Sequence, residues 1–218
     1  MGSLGWKNIL LMSGAGATFL LSASPSQAAV INLYDLTGWE TIGNASSSGG
    51  QVSLSSSGGV SRFSIEQFLE LPNQALNSLN SSPTNGSALK TTITVNAGDV
   101  LEFDWRFSTN DYLPYNDFSF YSIGSLVTKL ADVALVGNYG NTTSKTSYTF
   151  DQDGKYTLGF GVVNSRDTAV NSTLTVNNVL ESVKPVPEPF TILASLTTAG
   201  LGVALRRKQK QAANKSIV

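Results

Sequence analysis

Asp111, Asn116 and Asp117 crowd one short stretch together with Tyr112 and Tyr115. Carboxylate and amide oxygens are the ligands a calcium ion takes, and tyrosine rings present faces that stack on sugars. The stretch is therefore a candidate calcium site through Asp111, Asn116 and Asp117, and a candidate stacking site through Tyr112 and Tyr115. The same residue types also make ordinary turns, with tyrosines covering the edge of a fold. Asp151-Gln152-Asp153-Gly154 echoes the start of a calcium loop but lacks the downstream Glu, so it reads as a turn. Glu102 and Asp104 share one face of an alternating segment, and paired carboxylates can hydrolyse glycosides. With Arg106 on the same face, a solvated charge row is the alternative.

What is missing narrows the chemistry further. The chain has no His and no Cys. That removes the Ser-His-Asp triad, imidazole acid–base catalysis, the usual zinc site and any disulfide framework. Fourteen of the fifteen acids but only eight of the fourteen Lys and Arg fall between residues 29 and 187, leaving that span at −6. A mildly acidic domain is a poor partner for nucleic acid, whose phosphates require a basic face.

The elements that would position these residues are strands. Leu89, Thr91, Ile93 and Val95 alternate with polar neighbours, as do Leu101, Phe103, Trp105 and Phe107. Tyr156, Leu158, Phe160 and Val162 repeat the pattern, with Gly159 and Gly161 opposite, and Leu174 and Val176 repeat it again. Such alternation belongs to a sheet with one buried and one wet face. Trp39 and Trp105 belong to the core, Trp39 being the more exposed. A hairpin is expected over residues 117–123 and 126–131, and further strands over 30–36, 51–55 and 146–150. About nine strands at this spacing predict an all-β, jelly-roll-like antiparallel sandwich. Ser64 to Gln67 has capping-box form, so a short helix begins there and stops at Pro72. A second helical turn is expected over 74–79, the pair plugging one end of the sandwich. The Ser/Gly-rich stretch 44–59 reads as loop around a weak edge strand.

The two ends carry addresses. Lys7, an apolar run over 9–21, and Ser26-Gln27-Ala28 predict a signal peptide over 1–28, cut after Ala28 or Ala29. Near the C-terminus, Val186-Pro187-Glu188-Pro189 precedes an uncharged apolar run over 190–205 and then Arg206-Arg207-Lys208-Gln209-Lys210. The run is shorter than the ~20 residues of a standard membrane helix, and the basic stems lend it length while holding their end in the cytoplasm.

Those three parts in order resemble the PEP-CTERM sorting signal of exported bacterial proteins. The resemblance implies cleavage near Pro187-Glu188-Pro189 by an exosortase-type membrane transpeptidase, often found where extracellular polysaccharide is made. It places the sandwich at 29–183, the sorting signal with its transmembrane helix at 184–210 and a cytoplasmic tail at 211–218. That tail runs on further than the usual abrupt stop. The stretch from Gly98 to Trp105, followed by Tyr115 to Phe120, is similar to ectodomains of PEP-CTERM proteins, often cyanobacterial, which in turn look like carbohydrate-binding modules. In such domains an Asp-Asn-Val tends to stand near a structural calcium, where this chain has Asn177-Asn178-Val179. The expectation is an exported surface or matrix protein, non-enzymatic and a candidate for polysaccharide binding. A carboxylate-dependent glycan enzyme and a purely structural surface protein are the alternatives.

Overall fold

The structure, a computed structural model, describes residues 29–182. The expected signal peptide, the sorting residues Val186, Pro187, Glu188 and Pro189, the apolar run and Arg206, Arg207 and Lys208 lie outside the described residues. Among the described residues no helix is long and apolar enough to cross a membrane.

Twelve strands form, all paired antiparallel. They are β1 (Ala29–Val30), β2 (Glu40–Ile42), β3 (Asn44–Ser48), β4 (Gln51–Ser55), β5 (Val60–Ser61) and β6 (Pro83–Val95). Then come β7 (Val100–Thr109), β8 (Phe118–Ile123), β9 (Leu126–Asp132), β10 (Asn141–Thr149), β11 (Gly154–Ser165) and β12 (Ser172–Ser182). One sheet runs β10-β7-β12-β4-β3 and the other β2-β6-β11-β8-β9, with β1 beside β12 and β5 beside β6. Taking β4 and β6 to β12 as first to eighth, the sheets run first–eighth–third–sixth and second–seventh–fourth–fifth. That order is a jelly roll.

Between the sheets lies the core that period-two alternation predicts. Phe103 meets Phe160 edge-on at 4.9 Å and Tyr121 at 5.3 Å, and Leu101, Phe107, Leu158, Val162, Leu174 and Val176 are buried around them. Trp39 and Trp105 are both buried, Trp39 slightly the more exposed, and each indole N–H finds an acceptor, Asn32 O and Thr146 Oγ1 respectively, at 2.9 Å.

A second core was not anticipated. Phe118, Phe120, Val163 and Ala88 face away from the first one, on the outer side of the second sheet. Helix α1 (Arg62–Phe68) and a 3-10 turn (Ala75–Ser78) lay Ile65, Leu69, Leu71 and Leu76 over them. The helical insert thus roofs a sheet face instead of plugging an end. Gly159 makes the close approach possible, because a Cβ there would stand 2.7 Å from Leu69 Cδ2. The cap is Ser61, whose hydroxyl accepts from Ser64 N at 3.2 Å, so the helix starts one turn earlier than the Ser64 box implied. Arg62 and exposed Phe63 hide that start, since apolar periodicity sets in only at Ile65.

Two strand expectations are also corrected. Of the expected 30–36 strand only Val30 lies in a strand, β1, and the chain then loops to Trp39. The 51–55 strand is no weak edge: it sits between β12 and β3, with Val52 and Leu54 fully buried.

Candidate functional site

The structure brings Asp111 and Asp117 to one end of the sandwich but does not join Asn116 to them. Asp117, just before β8, is buried, and its carboxylate is taken up by protein donors. Oδ1 accepts from Ser165 N at 2.9 Å and Oδ2 from Ser172 Oγ at 2.7 Å. The Asn164 amide, oriented with its nitrogen inward, adds a third donor to Oδ2 at 3.0 Å. Burial pushes the Asp117 carboxyl up to about 7. Its two serine hydrogen bonds work against that rise, and Asp111 and Asp167 reinforce it. Asp111 is buried too. Its Oδ1 accepts from Tyr112 N at 2.7 Å while Oδ2 has no partner. Burial raises its carboxyl above the usual range, the Tyr112 N–H opposes this, and Asp167 adds to it.

Asn116 turns the other way. Its Oδ1 accepts from Ala134 N at 2.8 Å and its Nδ2 donates to Asp132 Oδ2 at 3.3 Å, clasping the loop that follows β9. Among the described residues no group of three or more Asp, Glu, His or Cys side chains is placed to hold a metal ion. Asn116 thus points away from the other two, and both oxygens of Asp117 already accept from protein donors, so the three side chains are not gathered around one point. Asp153 is likewise committed, accepting from Ala97 N at 2.6 Å across two turns.

The tyrosines do come together. Tyr112 meets Tyr115 edge-on at 5.6 Å and Tyr139 at 5.9 Å. Tyr139, which no sequence signal singled out, is fixed by its N–H on Asp111 O at 2.8 Å. Tyr112, Leu113 and Tyr139 remain exposed, so this end of the molecule is apolar.

A different surface carries a concavity. Among the described residues nothing covers the outer face of the first sheet, and strand register makes it three cross-strand rows. Ser48, Gln51, Asn177, Asp104 and Lys145 form the first, on β3, β4, β12, β7 and β10 in turn. Ser46, Ser53, Thr175, Arg106 and Thr143 form the second. Asn44, Ser55, Thr173, Ser108 and Asn141 form the third. Every member is polar, and residues in register share a face. At the usual strand spacing each row spans about 19 Å.

A groove of about 420 Å³ runs over the first two rows between Gln51, Asp104, Arg106, Thr143, Thr175 and Asn177. Asp104 is held by Asn178 Nδ2 at 2.7 Å and Lys145 Nζ at 3.7 Å, and Arg106 donates to Asn141 at 3.3 Å. Glu102 and Asp104 do lie on this outer face, with Arg106 and Lys145 beside Asp104, as a charge row would. The alternation of Gln51, Ser53 and Ser55 with Val52 and Leu54 in β4 was the available signal for this face, hidden because low-complexity sequence reads as loop. Asn177 sits in the first row, level with Asp104, not at the carboxylate cluster.

No protein-family model matches the chain, and no curated protein matches it either. Among solved structures it is similar to a family two carbohydrate esterase from Cellvibrio japonicus, with TM-score 0.34, 11% identity and 75% of this chain aligned. The match spans 36% of the length of that esterase. It is also similar to the N-terminal cellulose-binding domain of a Cellulomonas fimi β-1,4-glucanase, with TM-score 0.35 and 12% identity over 68% of this chain and 91% of that one. A third is a carbohydrate-binding module described by its mannan recognition, with TM-score 0.37 and 11% identity over 73% of this chain and all of the other. At such scores these likenesses pass no ligand to this chain, and what makes it a jelly roll is its own strand order.

Proposed function

We propose that the chain is an exported, non-catalytic polysaccharide-binding protein of the cell surface or matrix, gripping a glycan along the outer face of its first sheet. The observation that carries this is the set of three in-register polar rows, the first two of which line a groove. Sugar hydroxyls both donate and accept, and so do the Ser, Thr, Asn and Gln side chains that make up most of the rows. Five strands give a chain-like ligand a repeated ladder of partners instead of a single deep pocket. The helical insert lays its apolar cover on the opposite sheet, and among the described residues none covers this face.

The expected ends complete the reading: a signal peptide delivers the domain, and an exosortase cuts near Pro187-Glu188-Pro189. Affinity electrophoresis of the protein through gels containing soluble β-glucan, galactomannan or xylan tests the binding. Retardation by at least one, weakened in Arg106→Ala and Asn177→Ala, is expected, and free migration through all three overturns it. Mass spectrometry of the exported protein tests the processing, with Ala29 or Val30 as the new N-terminus. Glu188→Ala with Pro189→Ala should strand the protein in the inner membrane, and release at the parental rate would overturn the sorting assignment.

A further inference from the structure

A second hollow of about 210 Å³ adjoins the groove and shares Gln51 and Asn177 with it. Its outer wall is Tyr34, 72% exposed although its backbone is firmly held. Tyr34 N donates to Asn32 Oδ1 at 2.8 Å, and the Ser47 hydroxyl lies 2.6 Å from Leu33 O and 2.7 Å from Tyr34 O. A Cβ placed on Gly50 would stand 2.9 Å from Tyr34 Cζ and 3.2 Å from both Cε atoms. Equal distances to the two Cε atoms, with Cζ nearest, mean that a ring face lies on Gly50, which leaves the opposite face open. Gly50 serves twice here, since its φ of +81° also closes the β3–β4 turn.

An aromatic face held open beside a polar groove is a surface on which the apolar face of a ligand can stack. Resting on the polysaccharide-binding reading, we infer that Tyr34 is a stacking subsite at the end of the groove, for a pyranose ring whose hydroxyls are equatorial. Such a sugar has axial C–H bonds that give it an apolar face for the ring. Its hydroxyls then radiate in the ring plane, where Gln51 and Asn177 can reach them. A β-1,4-linked glucan backbone presents such faces along its length, and a β-1,4-linked mannan, whose C2 hydroxyl is axial, keeps one apolar face per ring. An α-1,6-linked dextran, whose linkage adds a flexible bond, does not hold successive rings flat.

The test uses the full-length chain in a non-glycosidic detergent, titrated with hydroxyethylcellulose, galactomannan and dextran. The parent should bind one or both of the first two in preference to dextran. Tyr34→Ala should weaken that binding by about tenfold with melting unchanged, and Tyr34→Phe should keep it. Gly50→Ala, which displaces the ring, should fall with Tyr34→Ala. A parent that binds no glycan overturns the polysaccharide-binding function and this subsite with it. A parent that binds while Tyr34→Ala binds equally well, or that prefers dextran, overturns the subsite alone.

Discussion

Asp117 and Ser172 tie the two sheets together: the carboxylate at the start of β8 lies 2.7 Å from the hydroxyl at the start of β12, with both residues buried. The same hydroxyl lies 2.9 Å from Thr109 Oγ1, which accepts from Asp111 N at 2.9 Å. Ionised, Asp117 accepts a hydrogen bond from the Ser172 hydroxyl. Protonated, it can donate to Ser172 Oγ, which frees that hydroxyl to donate onward to Thr109. The chain of groups is satisfied either way, but only the protonated form avoids a buried charge facing Asp111 and Asp167.

This sets a pH dependence. The Asp117 carboxyl stands at about 7 when folded and near the ordinary carboxylate value when unfolded, so the folded protein holds a proton that the unfolded chain has lost. Stability from this group is complete in acid, declines as pH rises from about 4 to about 7, and is flat above that. The full difference is on the order of 4 kcal/mol. Asp117→Asn keeps an acceptor for Ser165 N and adds a donor for Ser172 while removing the charge. Urea titrations from pH 4 to 8 should show the variant less pH-dependent than the parent and at least as stable at pH 8. A variant weaker at pH 8 with the parental slope would show that Asp117 is needed as an anion.

The fate of the helical insert depends on Glu66, which is buried. Its Oε1 accepts from Leu76 N at 3.0 Å, and its Oε2 from Gln74 N at 3.1 Å and from the Arg62 guanidinium at 2.6 Å. The carboxylate thus fastens α1 to the 3-10 turn. Glu66→Ala strands buried backbone donors at a cost of ~2–4 kcal/mol, which for a domain of this size lowers the melting temperature by roughly 5–10 °C. Arg62→Ala, which leaves those donors paired, should cost less. Equal losses in the two variants would mean that the ion pair, and not the backbone bridge, holds the insert.

Such buried polar links are the part of the molecule least visible in its sequence. Inner-face residues such as Phe103, Phe160 and Val176 announced themselves, because period-two alternation depends only on local pattern. Phe118 and Phe120 alternate just as clearly, yet nothing local says that their face is also dry, since the cover comes from Leu69 and Leu76 some fifty residues earlier. Tyr112 and Tyr115 were found by type and proximity, whereas their neighbour Tyr139 sits across a loop clasp that spacing cannot reveal. Asp111 and Asp117 looked like ligands because sequence shows which oxygens are near one another, but not which donors have already claimed them.

Calcium provides the sharpest check on those oxygens. An ion at Asp111 and Asp117 would have to displace Ser165 N and Ser172 Oγ, and below about pH 7 it would also have to displace a proton. The fair test is therefore at pH 8, where Asp117 is ionised and the ion has its best chance. Melting curves in millimolar calcium and in EDTA should coincide there, for the parent and for Asp117→Asn alike. A native-state ligand present at a hundredfold over its dissociation constant adds about 2.7 kcal/mol, enough to move the transition by several degrees. An upward shift in calcium that EDTA reverses, and that Asp117→Asn abolishes, would mean that the loop rearranges to release its carboxylate and is a metal site after all.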